Sequence, residues 1–249
     1  MDLELTGKTA IVTGGSRGIG KAIARQLALE GVDVAIVARD QETFEATASE
    51  LAEETGRRVL PISADTGSDE AVRGVVQQVA EAFGHIDILV NCAARPGGQA
   101  PPPKLPDITN ELFFDEMNTK VMGYLRCARE VAPHMIRQGW GRIINLSGLA
   151  ARSTGTTIGS MRNVAVAAMT KNLADELGPQ GINVTVVHPG LTCTERISRR
   201  HRRPRPGSEP AGRGDRATDV REQHGPPHDR RPRHRQRRRL PRLTQISGS

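Results

Sequence analysis

Gly14, Gly18 and Gly20 fall within Thr13-Gly14-Gly15-Ser16-Arg17-Gly18-Ile19-Gly20, and that spacing can hold an anion. Glycines let a backbone turn sharply and approach a pyrophosphate closely. The flanks supply the rest of such a site. The β-type run Thr9–Val12 precedes the turn and a helical run, Lys21–Leu29, follows it. A helix start presents free N–H groups and a positive dipole end to a phosphate. Thr13, Gly14, Ser16, Arg17, Gly18, Ile19 and Gly20 are therefore the candidate phosphate-binding residues. The competing reading is a glycine-rich turn with no ligand; the strand before it and the helix after it favour the nucleotide.

The elements that must position this turn alternate along the chain. Strand-like runs lie at Thr9–Val12, Val34–Val37, Val59–Ile62, Ile86–Val90, Ile143–Leu146 and Val184–Val187. Helical stretches lie between them at Lys21–Leu29, Gln41–Glu54, Asp69–Phe83, Phe114–Arg137 and about Ser160–Leu177. Gly31 and Gly56 stand where helix C-caps belong. Alternation of this kind predicts right-handed crossovers and an α/β fold, a Rossmann-like doubly wound parallel sheet in a single domain. The Pro- and Gly-rich segment Arg95–Pro106 reads as a loop at the carboxyl end of the sheet, where ligands bind in such folds.

Four elements in order resemble the short-chain dehydrogenase/reductase family over about Leu5 to Glu195. They are the glycine turn Thr13–Gly20; Asp65 after the third strand; Asn91-Cys92-Ala93-Ala94 after the fourth; and His188-Pro189-Gly190 with Thr194. The resemblance implies that Asp65 contacts the adenine amino group and that Pro189, Gly190 and Thr194 lie beside a nicotinamide. It also implies that Asn91 belongs to the same cradle. Asp65 read by itself serves equally as a turn cap. The activity implied is hydride transfer between NADP(H) or NAD(H) and a small-molecule alcohol or carbonyl. Arg17 in the turn and Arg39 after the second strand place two guanidinium groups where a 2′-phosphate would lie, which favours NADP(H). The alternative is a solvated Arg39 with Asp40 on the ribose, which leaves NAD(H) possible.

The family's catalytic set is Asn, Ser, Tyr and Lys, with Tyr and Lys at i and i+4 on one helix face. This chain has one tyrosine, Tyr124, and no lysine four residues later. Aligned on Lys171-Asn172-Leu173-Ala174, the Tyr position is Gly159 and the Lys position is Asn163. The Ser position is Gly148, with Ser147 one residue earlier, and the Asn position is Lys120, with Asn118 nearby. Lys120 and Asn163 thus look like an exchange of the family's Asn and Lys between neighbouring helices. The alternative is two unrelated surface residues. Lys120, Asn163 and Ser147 are the candidate catalytic residues. Ser160 is a further hydroxyl that can orient a carbonyl, but a serine without a nearby base is a poor acid. His188 is an imidazole, a residue type that serves as acid or base, yet its place before a Pro-Gly turn reads as structural. A non-catalytic nucleotide-binding protein of this fold is the runner-up reading.

A chain of 249 residues suits one such domain. Aromatic residues make up 2%, so the core must be Val, Ile, Leu and Ala. The acidic start has no apolar signal-like region, no run is long enough to span a bilayer, and Cys92, Cys127 and Cys193 lack metal-type pairing. These features predict a cytoplasmic protein with no bound metal and no membrane partner. The net charge of +7 is unevenly spread. Residues 196–249 hold about 17 arginines and about 5 acids, so the first 195 residues are mildly acidic. Residues 1–195 read as the NAD(P)-binding domain, and 196–249 as an Arg/Pro-rich, disordered tail. The tail has two readings. It is a basic arm for nucleic acid or another polyanion, or it is the product of a frameshift in a GC-rich gene. In the second reading the C-terminal part of the fold is missing, and with it the substrate lid and the homo-oligomer surface that an intact family member would carry.

Overall fold

The computed structural model describes residues 2–94, 101, 103–190 and 192–194. Six strands form one parallel sheet: β1 (Thr9–Thr13), β2 (Asp33–Ala38), β3 (Val59–Ser63), β4 (Ile88–Asn91), β5 (Gly141–Leu146) and β6 (Ile182–Val187), in the spatial order β3-β2-β1-β4-β5-β6. The order reverses at β1, whose Thr13 pairs with Val37 of β2 on one side and Asn91 of β4 on the other. A crevice at the carboxyl ends of the strands is the geometric consequence of that reversal. This is the doubly wound Rossmann-like sheet that the alternating pattern predicts.

Period-two alternation along β1 sends side chains to two cores. Ile11 joins Val75, Val79, Leu89, Val131, Met135 and Ile143 under α3 (Asp69–Phe83) and α5 (Gly123–Gln138). Ala10 and Val12 join Ala24, Ala28, Phe44 and Leu51 under α1 (Gly18–Leu29) and α2 (Gln41–Thr55). α6 (Thr157–Leu177) packs on β6 and adds Leu177 to the first core.

Several boundaries differ from the sequence expectation. α1 starts at Gly18, inside the glycine turn, because glycine tolerates the positive φ of +56° at its first residue. β4 starts at Ile88, and the Asp87 carboxylate just before it accepts from the Thr9 N–H at 2.9 Å. The stretch Phe114–Arg137 is not one regular helix. α4 (Asn110–Met117) passes through a π-helical turn, Asn118–Met122, into α5. The loop expected at Arg95–Pro106 falls mostly outside the described residues; Leu105–Asp107 forms a 3₁₀ turn. The tail from residue 196 also lies outside them. No described helix is long and apolar enough to cross a membrane.

Candidate active site

The glycine turn is held open by backbone geometry. Gly14 has φ +68°, and its N–H donates to the Val37 carbonyl at 2.8 Å. A Cβ on Gly20 would lie 2.1 Å from the Gly14 carbonyl oxygen, and one on Gly14 would lie 3.0 Å from Ala93 Cα. Arg17 precedes α1 in an extended conformation and gives no side-chain cap, so the first N–H groups of α1 keep their free valence for an anion. Thr13 ties the turn to the end of β4. Its buried hydroxyl accepts from the Cys92 and Ala93 N–H groups at 3.0 and 3.1 Å. The Ser16 carbonyl accepts from the Thr47 hydroxyl at 3.0 Å, which docks the turn on α2. Ile19 packs on the second core. The segment carrying Pro189, Gly190 and Thr194 leaves β6 at the same end of the sheet. Thr194 Cγ2 comes 3.6 Å from where a Gly18 Cβ would be.

Arg39 is exposed at the end of β2. Asp40 next to it accepts from the Thr43 hydroxyl at 2.9 Å in the first turn of α2. Asp65 accepts from the Gly67 N–H at 2.9 Å, so one of its oxygens does cap a turn. Asn91 is fully buried. Its Nδ2 donates to Asn145 Oδ1 at 2.9 Å, and Asn145 Nδ2 donates to Thr170 Oγ1 at 3.0 Å. This polar ladder fixes the ends of β4 and β5 against α6.

Beside that ladder, Lys120 and Asn163 meet. Lys120 is 4% exposed. Its Nζ donates to the Ser147 carbonyl at 2.6 Å and to Asn163 Oδ1 at 2.8 Å. The Ser147 hydroxyl donates to the Asn163 carbonyl at 2.9 Å. The three candidate catalytic residues thus form one buried cluster, and the reading of Lys120 and Asn163 as unrelated surface residues is corrected. The π-helical turn carries Lys120 inward; its extra residue rotates the chain relative to a regular helix. Burial, and secondarily the Arg162 guanidinium, push the Lys120 ammonium down to about 8. Burial pushes the Cys92 thiol up to about 11.

Glycines stand where the cluster needs room. A Cβ on Gly148 would lie 2.8 Å from Asn163 Nδ2. One on Gly159 would lie 2.4 Å from the hydroxyl of Thr156, which caps α6 by accepting from the Gly159 N–H. Tyr124 offers no replacement phenol. It is buried, its hydroxyl donates to the Leu146 carbonyl at 3.1 Å, and burial holds it well above its usual range. His188 lies with Nδ1 3.4 Å from the Gly148 carbonyl. Asn118 is spent on Arg126 and the Gly67 carbonyl. Sequence reasoning missed Glu116 and Arg162, which form an ion pair between α4 and α6. Their signal was the i, i+4 spacing of Glu116 and Lys120 and the adjacency of Arg162 to Asn163.

The family model for short chain dehydrogenase matches residues 8–204. The chain belongs to the short-chain dehydrogenase/reductase family. It is 38% identical over 189 residues to short-chain reductase protein NovJ of Streptomyces niveus, covering 76% of this chain and 70% of that protein. Among solved structures it is similar to L-sorbose reductase from Gluconobacter frateurii in complex with NADPH and L-sorbose. There the TM-score is 0.74 and the identity 34%, over 79% of this chain and 74% of that one. It is also similar to an NAD⁺-bound xylitol dehydrogenase, with a TM-score of 0.74 and 29% identity, over 80% of this chain and 75% of that one.

Proposed function

We propose that this chain transfers a hydride between NADP(H), in preference to NAD(H), and a small-molecule alcohol or carbonyl, with Lys120 handling the proton. The observation that carries this reading is the buried Lys120 amine, fixed between the Ser147 carbonyl and Asn163 Oδ1 in a family whose usual tyrosine is absent here. Relatives solved with NADPH and with NAD⁺ support a nicotinamide cofactor.

The residues present fit such a cofactor. A side chain at Gly14 or Gly20 would fill the cradle or displace its backbone, and α1 offers uncapped N–H groups. Thr13, Gly14, Ser16, Arg17, Gly18, Ile19 and Gly20 would hold the pyrophosphate. Asp65 and Asn91 would flank the adenine and the sheet end, and Pro189, Gly190 and Thr194 the nicotinamide. The preference for NADP(H) is supported by Arg17 and Arg39, both exposed, and by Asp40, whose carboxylate is engaged by Thr43. When bound, the cofactor supplies or accepts the hydride.

The chain's own part is to place a proton. As an ammonium, Lys120 spends two of its three N–H groups on Ser147 and Asn163 and keeps one for a ribose hydroxyl, a water or a substrate oxygen. In reduction that group gives its proton to the developing alkoxide, directly or through water. In oxidation the neutral amine takes the proton from the alcohol. A group titrating near the working pH suits both directions. Asn163 and Ser147 orient the amine.

Titration of the protein with NADPH and NADH, followed by a panel of alcohols and ketones, tests this reading. Tighter binding of NADPH and turnover of at least one pair are expected. Binding without turnover across a broad panel would assign the chain to non-catalytic nucleotide binding instead.

A further inference from the structure

Glu116 and Lys120 stand at i and i+4 across the junction of α4 with the π-helical turn, and so share a side of that segment. Arg162 and Asn163 are neighbours on α6. Glu116 pairs with Arg162, and Lys120 donates to Asn163. The two contacts are adjacent rungs between the same two segments. The Arg162 and Glu116 side chains are 14% and 20% exposed, so their charges are screened far less than those of a surface pair. Arg162 Nε is buried without a hydrogen-bond partner among the described residues, which leaves the guanidinium anchored through Nη1 on Glu116.

The groups facing Lys120 are Arg162 from α6, Glu116 from α4, the Cys92 thiol beyond β4 and the Tyr124 ring on α5, whose centroid lies 6.0 Å from Nζ. Burial keeps the thiol and the phenol neutral. Among the described residues, Arg162 and Glu116 are then the two charges that act on the amine, with opposite signs.

We propose that the Glu116–Arg162 pair is a positioning device for Lys120, bracing α4 against α6 beside the Lys120–Asn163 contact and balancing the charge that the amine feels. The proposal deepens the reading of Lys120 as the group that handles the proton, and rests on it for its catalytic consequence. Removing the carboxylate leaves an uncompensated guanidinium beside Lys120 and favours the neutral amine. Removing the guanidinium leaves an unopposed carboxylate and favours the ammonium.

The test follows Lys120 itself, in the full chain without substrate. With lysines ¹³C-labelled at Cε, the Lys120 resonance is identified by its loss in Lys120→Met and titrated by NMR. Glu116→Gln is expected to lower the midpoint by about one pH unit, and Arg162→Gln to raise it by about as much. Glu116→Asp and Arg162→Lys, which keep the charges, are expected to stay near the parent midpoint. Midpoints that do not move, or that move in the same direction, overturn the proposal. Should Arg162→Gln fail to fold, Glu116→Gln against Glu116→Asp decides alone: equal midpoints overturn the proposal and a lower one for Gln upholds it. The pH profile of alcohol oxidation separates the two readings. Midpoints that shift while the profile stays fixed uphold the charge balance and overturn Lys120 as the proton-handling group.

Discussion

At the residue scale the central fact is a lysine amine at 4% exposure with two acceptors within 2.8 Å. Burial penalises the charged form and the two carbonyl oxygens favour it; burial prevails and pushes the amine down to about 8. If Lys120 is the acid and base, oxidation needs the neutral amine and its rate rises as pH climbs through about 8, whereas reduction needs the ammonium and falls over the same interval. Initial rates in each direction across that range check the sign. Lys120→Ala is expected to lower kcat by about 100- to 10,000-fold while cofactor still binds; unchanged turnover would remove Lys120 from the chemistry. Gly148 gives a second prediction. Gly148→Ser puts a hydroxyl at the family's serine position, but its Cβ would lie 2.8 Å from Asn163 Nδ2. Asn163 must then shift off Lys120, so the expected result is a loss of turnover of at least about tenfold, and a gain would contradict the geometry. The residue types at these positions were readable from motif spacing. The reason for the glycines was not, because it lies in contacts between segments.

At the element scale, two departures from regularity build the site. One is the glycine turn, where α1 begins under the Gly14 carbonyl. Gly20→Ala would set a methyl 2.1 Å from that oxygen, and backbone cannot yield as a flexible side chain does. Cofactor affinity is expected to fall by at least about tenfold, with a lower melting temperature, measured by NADPH fluorescence titration and a thermal scan. The other departure is the π-helical turn Asn118–Met122. From apolar spacing the region reads as one helix, since a single extra residue changes the phase of the pattern by less than the pattern's own irregularity. Strand and helix order, in contrast, was legible almost throughout, because alternating short apolar runs and amphipathic stretches record a parallel sheet covered on both faces.

At the scale of the whole molecule the sheet is asymmetrically covered. β1, β2 and β4 are buried on both faces, while β6 pairs with β5 alone among the described residues and leaves Asn183, Thr185 and Val187 exposed, Val187 at 45%. A chain ending at Glu195 keeps every described element, and its expected cofactor affinity equals that of the full chain; a clear loss would show that residues 196–249 contribute to the fold. If the tail is a basic arm, the full chain binds DNA in a salt-dependent way and the shortened chain does not. Nucleotide sequencing across the codons for Thr194 to Arg200 tests the frameshift reading directly. Taken by itself, the sequence determined the class of sheet, the glycine cradle and the absence of a tyrosine-lysine pair, since each is written in residues close along the chain. Tertiary structure alone decided that Lys120 reaches Asn163 and that Glu116 pairs with Arg162. Those contacts join segments more than 40 residues apart, and a buried amine takes its charge from the neighbours that folding brings to it.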